Sequence, residues 1–463
     1  MNKLIPNILY VSTALLILNS QSFGGTLDKK GSFQFPITIA DEDSVGGTDV
    51  WGWTGDDGTE YAIMGVLDGV AFVNTTTMEV ITTVPGPTVT SPFNHHHHRD
   101  IKTYRHYAYV VSENTGTNAG LMVIDLQGLP NSVEFIGSFP IDGGMGVRSH
   151  NISIDTAKGF AYLVGNSSNW VTVLDLSNPE SPQFVNGFNG NEIHDLYARN
   201  DTVYLAEGDS PYFSIWDLTD KNDPVLLLRK QIPNSELVHN IWPTDDGKYV
   251  VTTEETAGIT VKIWDVSNYD NVFIAGQWLG ASKLAHNAQV MGDLVFVSHY
   301  QSGVSVVDIS DPSNPVEIAN YDTYLPGNLP DGNGCWGVYQ YTSDGTVFTS
   351  DIEGRLTVIE FDRTATGVAH EIDALPAQPL LIGNYPNPFN PQTTIEFYLP
   401  EAGSVNLSLF NLKGELIQVL ADGDLIAGYH AYSWSGKEAA AGIYFYRLIT
   451  DHAVKSGKML LIK

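Results

Sequence analysis

This 463-residue sequence predicts an all-β protein: a seven-bladed β-propeller whose last blade is closed by an N-terminal strand, followed by a small β-sandwich. Three observations carry that prediction. Two short motifs alternate along residues 41–362 with a period of roughly 45, short β-branched runs are bounded by Gly, Asn, Asp and Pro, and no segment keeps the period of a long amphipathic helix.

The first motif is an apolar run ending in Asp before a turn, at Asp125, Asp175, Asp217, Asp265 and Asp308, which are 50, 42, 48 and 43 residues apart. An Asp there is suited to capping the turn that follows. The second motif opens each copy. His98, His150, His194, His239 and His286 head segments such as HNISID and HNIWPT, and Trp51 and Trp336 are expected to hold the same place in two flanking copies. The series steps by 47, 52, 44, 45, 47 and 50, which makes seven copies. Each reads as four strands, as in HNISID, FAYLVG, WVTVLDL and PQFVNGF, and four-stranded repeats of roughly 40–50 residues are the signature of propeller blades. The last copy supplies only WGVYQY, TVFTSD and LTVIEF. The strand-like segment Ser32 to Ala40 is expected to pair with 355–361 and seal the open edge. The propeller is thereby bounded at 32–362.

After a linker at 363–379, residues 380–463 read as a sandwich of about seven strands, with turns at Glu401-Ala402-Gly403, Leu412-Lys413-Gly414 and Asp422-Gly423. At the other end, Lys3, an apolar stretch from Ile8 to Leu18, and Ser20 and Ser22 predict a signal peptide over residues 1–22. A membrane anchor is the competing reading, but about 11 apolar residues fall short of the roughly 20 that span a bilayer. The mature chain is expected to have no transmembrane segment.

Charge narrows the function. With 23 Lys+Arg against 53 Asp+Glu, a formal charge of −30, the chain lacks the clustered cations that nucleic acid or an anionic membrane requires. Its one thiol, Cys335, excludes an intrachain disulfide. The sequence holds no GxSxG, HExxH, CxxC pair or GxxxxGK[ST], so no catalytic residue is assigned.

Chemistry is expected where the first strands begin and the second strands end, since an antiparallel pair brings both to one rim. That rim would carry His98, Arg99, Asp100, Glu113, Glu207, Trp336 and Asp351 as ligand-binding residues, with Asn166 and Glu254 in the same register. His150, His194, His239, His286 and His299 would be the metal ligands, for calcium or a transition ion. Two readings of the repeated His stay open, a functional ring or a set of polar groups that satisfies backbone where the strands converge. His95 to His97 extend the first copy into a four-His run, either a chelating tract or a solvated loop.

Two resemblances add an address. Asn384-Tyr385-Pro386-Asn387-Pro388-Phe389-Asn390-Pro391, Leu399-Pro400, the LFNLKGE run, Trp434, the Gly442 to Phe445 run and Lys458-Met459-Leu460 make residues 380–463 resemble the type A C-terminal sorting domain of the type IX secretion system. That resemblance implies the secretion machinery as a partner, passage across the outer membrane, and surface attachment or release after the domain is removed. Arg99-Asp100-Ile101-Lys102, the repeated V-x-D sequences, Asn333-Gly334-Cys335-Trp336 and Ser350 to Gly354 resemble the LVIVD-repeat propellers grouped as choice-of-anchor B proteins. That family implies no substrate and no catalytic residue. The leading expectation is a secreted or cell-surface scaffold that binds an extracellular protein or glycan; a metal-dependent hydrolase or lyase using the His face is the alternative.

Overall fold

Short alternating runs become antiparallel sheets throughout. The computed structural model describes residues 25–462 apart from 37, 41–42, 88–97, 142–145, 166–169, 190–192, 325–331, 364–378, 386–388, 400–402, 426–427 and 438, and no helix occurs among the described residues. The signal peptide, His95 to His97, Asn166 and most of the linker therefore lie outside them. By contacts the chain divides into two units, Met1–Ala369 and His370–Lys463.

Six sheets of the first unit are four-stranded meanders, at 47–85, 99–139, 151–189, 195–231, 238–278 and 288–321. The seventh joins Cys335–Tyr339, Thr346–Asp351 and Arg355–Asp362 to the N-terminal strand Thr26–Gln34. Seven apolar clusters fill the seven spaces between neighbouring sheets. Tyr109 and Val111 pack on Ile152 and Leu163, for example, and Tyr339 and Phe348 of the last sheet pack on Val50 and Met64 of the first, which closes the ring. Each side chain fully buried this way contributes about 1.5–3 kcal/mol.

The repeated Asp does what its position predicts. Oδ1 of Asp125, Asp175, Asp217, Asp265 and Asp308 accepts the backbone N–H two residues on, at 2.8, 2.6, 2.8, 3.0 and 2.8 Å. Just before it, the third and fourth strands of each of the six meanders slip register, as between Val173 and Leu174 or Ile263 and Trp264. A bulge at this point adds local twist to the outer edge of the sheet.

Edge sealing is shifted from the expected segment. Thr26–Gln34 pairs antiparallel with the last strand, Thr26 opposite Asp362 and Phe33 opposite Leu356. Thr38–Ala40 instead forms a small hairpin with Asp43–Val45. The donated strand therefore begins six residues earlier than Ser32 and stops at Gln34, before Pro36, which has no N–H to give a ladder.

The second unit is a sandwich of a three-stranded and a four-stranded sheet. Alternate residues Ile395, Phe397 and Leu399, Val405, Leu407 and Leu409, and Tyr444, Tyr446 and Leu448 meet around Trp434. No turn occurs at Asp422-Gly423: the strand Leu416–Leu425 runs through it, and Asp422 lies opposite Asn406, whose Nδ2 donates to it at 3.2 Å.

Candidate functional site

The first strand of each propeller sheet starts near a common axis, and six of the seven bring an aromatic ring there. Ring centroids are 4.5 Å apart for His98 and His150, 4.3 Å for His150 and His194, 4.3 Å for His194 and His239, and 4.2 Å for His239 and His286. Trp336 lies 4.1 Å from His286 and 4.6 Å from His98, so five imidazoles and one indole form a closed cycle. The remaining sheet, at 47–85, enters through Gly46 and Gly47. A Cβ on Gly47 would lie 2.4 Å from the Asp351 carbonyl oxygen, which leaves no room for a seventh ring. Trp51 does not share the place of Trp336. It sits deeper, packed on Tyr339 at 4.9 Å with Lys102 Nζ 4.3 Å from its ring, and its Nε1 donates to Thr103 Oγ1.

One layer below, the neighbours of the ring residues stitch adjacent strands. Asp100 Oδ2 accepts from the Ile152 N–H at 2.7 Å; Asn240 donates to Asp195 at 2.6 Å and accepts from the Ala288 N–H at 3.0 Å. Lys102 donates to Asp100 at 2.6 Å and lies 3.7 Å from Asp49. Burial opposes the lysine charge, but Asp100 and Asp49 outweigh it and raise its pKa; burial pushes the Asp195 carboxyl up to about 6, with Asp100 adding to the shift. Arg99 is a staple, donating to the carbonyls of Pro87 at 2.6 Å and Leu67 at 3.3 Å. This layer is held by its own hydrogen bonds, and Asp100 and Arg99 belong to it.

The ring is electrically uneven. Burial opposes protonation of His150, yet the Glu113 carboxylate, 2.8 Å from Nδ1, raises its pKa overall. Burial first and neighbouring imidazoles second drive His194 and His239 well below the usual range. Burial takes His286 to about 3 despite its bond to the Trp336 carbonyl. Neutral imidazoles are the form that binds metals and accepts hydrogen bonds.

The residues expected at the second-strand ends divide. Glu113 reaches the ring through His150. Glu207 is held by Arg229 at 2.7 Å, which also stacks on Tyr212, and Glu254 by Lys262 at 2.5 Å. Asp351 accepts from Thr323 Oγ1 at 2.6 Å, with burial raising its pKa to about 7. His299 stands apart from the ring, edge-on to Trp278, with Nδ1 2.5 Å from Ser282 Oγ and 3.0 Å from Ser302 Oγ; burial lowers it to about 4.

Glu255, one residue past Glu254, is the carboxylate that faces the other side of the ring. Its Oε2 lies 3.6 Å from His239 Nε2, and its Oε1 accepts from the Tyr300 hydroxyl. Tyr300 occupies the left-handed region at φ 42°, uncommon for a bulky residue. Paired backbone bonds with Cys335 hold it there, at 2.9 and 3.2 Å. That is the place of the lone cysteine, and burial pushes its thiol well above the ordinary range. A cavity of about 20 Å³, enough for one water-sized occupant, lies between His98, His150, His239, His286 and Trp336 and the Asp49, Arg99, Asp100, Asn151 and Asn287 layer. His239 Nδ1, His286 Nε2 and Asn287 Oδ1 are buried with no hydrogen-bond partner among the described residues.

Known proteins fit this architecture. The LVIVD repeat matches residues 152–189 and 284–323, and the secretion system C-terminal sorting domain matches 384–463. Among solved structures, the chain is similar to U3-55K at 9% identity and a TM-score of 0.50, over 71% of this chain and 100% of that one. It is also similar to a chain of the mitotic checkpoint complex at 11% identity and a TM-score of 0.51, over 78% and 98%. Such distant likeness speaks to the fold alone. No curated protein matches. Among the described residues, no helix is long and apolar enough to cross a membrane. The ring of sheets thus carries LVIVD repeats, and the type IX C-terminal sorting domain that follows it in sequence indicates a protein that is secreted or displayed at the cell surface.

Proposed function

We propose that the propeller is a binding module that takes an extracellular protein or glycan at the His-lined end of its axis. One observation carries this: His239 Nδ1, His286 Nε2 and Asn287 Oδ1, beside the axial cavity, are buried with no hydrogen-bond partner among the described residues. An unsatisfied buried polar group costs about 1–3 kcal/mol, so a site that keeps three is poised for an occupant that satisfies them. Trp336 offers an aromatic anchor beside them, and Glu113, bonded to His150, supplies a carboxylate at the ring. Residues 1–22 direct export, and the 380–463 tail engages the secretion machinery and is removed at the outer face of the outer membrane.

The test is the spectrum of the labelled histidine rings during titration with pools of extracellular oligosaccharides and peptides. A ligand at the axis moves the His194, His239 and His286 signals, and Trp336→Ala weakens it by about tenfold or more, as loss of an aromatic anchor does. Binding that leaves those signals unmoved would place the ligand elsewhere and end the proposal.

A further inference from the structure

The geometry points to a divalent transition-metal site formed by His239, Glu255 and His286. This rests on the reading of the axial cavity as a binding site and adds what binds first.

One donor atom from each of the three residues lies within 4.8 Å of the others. His286 Nδ1 is 2.7 Å from the Trp336 carbonyl oxygen, which only accepts, so Nδ1 carries the proton and Nε2 presents a lone pair. That Nε2 is buried and has no hydrogen-bond partner among the described residues. An ionised Glu255 has only acceptors, and with Oε1 taken by Tyr300 its Oε2 is left facing His239 Nε2 across 3.6 Å, too far for a hydrogen bond. The His286 Nε2 lone pair and the Glu255 Oε2 thus face one point, and His239 adds a third through Nε2 in the tautomer that keeps its proton on Nδ1, an arrangement that a cation draws together.

The donor set selects the ion. Two imidazoles and a carboxylate match three-ligand zinc sites that leave a fourth position open, whereas calcium takes about 6–8 oxygens. Bonds of about 2.0–2.2 Å would draw the ligand atoms together by roughly an ångström, within reach of side-chain rotation. The outer contacts also fit. A backbone carbonyl fixes the His286 tautomer and a phenol orients the Glu255 carboxylate, the kind of support that metal ligands receive. Tyr300 is a positioning residue here, anchored through Cys335.

The experiment strips the full chain with a chelator and titrates it with Zn²⁺ and, separately, with Co²⁺. One equivalent of Zn²⁺ per chain is expected, together with the visible absorption of four-coordinate Co²⁺. Glu255→Gln and His286→Gln should abolish stoichiometric binding, and Tyr300→Phe should weaken it by about 10–100-fold, as loss of an outer hydrogen bond does. His106→Gln, which alters a pairing with Asp125 far along the sequence from all three ligands, should leave it unchanged. Circular dichroism reports whether each variant folds; if His286→Gln does not, Glu255→Gln and Tyr300→Phe decide. Absence of stoichiometric metal, or equal Zn²⁺ affinity in Glu255→Gln, overturns the site. The same oligosaccharide and peptide pools titrated into the metal-free chain separate the two claims: histidine signals that move without metal leave the binding module standing.

Discussion

His150 faces a carboxylate at hydrogen-bond distance on one side of the ring, while on the other side His239 faces one that is a fraction of an ångström too far and already engaged by a phenol, with His286 beside them. The five imidazoles occupy neighbouring places in successive repeats, yet on one side a carboxylate raises the His150 pKa, while on the other burial lowers those of His239 and His286. Repetition supplies the ring. The carboxylate beside each arc sets how its imidazoles are paired: Glu113 bonds His150, whereas Glu255 stands 3.6 Å from His239.

The largest effect on this contrast should come from Glu113→Gln. It leaves His150 buried without its counter-charge, so the His150 pKa falls below its ordinary value and stability drops by about 1–3 kcal/mol at pH 6. His150 has a raised folded pKa, so its contribution is present below about 6.5 and fades as pH rises through the folded value; the Glu113→Gln deficit should therefore shrink by pH 9. Denaturant unfolding at the two pH values, with the His150 ring signal followed in parallel, checks this. A deficit that grows with pH would mean His150 is neutral in the folded protein.

The open arc should respond to pH with the opposite sign. His286 and His239 have lowered folded pKa values, so their contribution is present above about 6.5 and is lost as pH falls towards the folded values, about 3 for His286. In metal-free protein, His286→Gln should lose less stability than the parent between pH 7 and pH 4.5, by melting temperature. Equal losses would remove the distinction between the arcs. The smallest effect should be that of Tyr300→Phe without metal, about 1 kcal/mol for one hydrogen bond, with the His150 signal unchanged. A shift at His150 would show that the arcs are coupled.

Much of this was legible before any coordinates. The Asp at the third-strand end and the His at the first-strand start announced the repeat, because each answers to local chemistry that recurs in five of the seven sheets: an Asx turn in one case, a crowded axis in the other. Trp336 in the ring was readable for the same reason. Trp51 was misplaced because one Trp looks like another in sequence, and only the close approach at Gly47 shows why that sheet brings no ring. The sealing strand was found but set too late, since Thr26–Gln34 is an outermost strand with a largely exposed, polar surface and carries no apolar alternation to fix its register. Glu255 was passed over in favour of Glu254, which continues the strand alternation and looked like the rim residue; its carboxylate goes to Lys262 instead. No local pattern shows that the chain leaving the strand turns the next side chain to the axis.

Closure by Thr26–Gln34 gives the two ends of the propeller unequal freedom. The final ladder pairs Thr26 with Asp362, so the amino end is woven into the ring from its first described strand, while no described residue past Asp362 belongs to a propeller ladder. Proteolysis can take everything after Arg363 without breaking one of those ladders. Trimming only about ten residues past position 25 at the other end would expose the edge of Arg355–Asp362, a template for pairing with another chain. A cut at the amino end would therefore have to fall before Thr26 to keep that edge sealed.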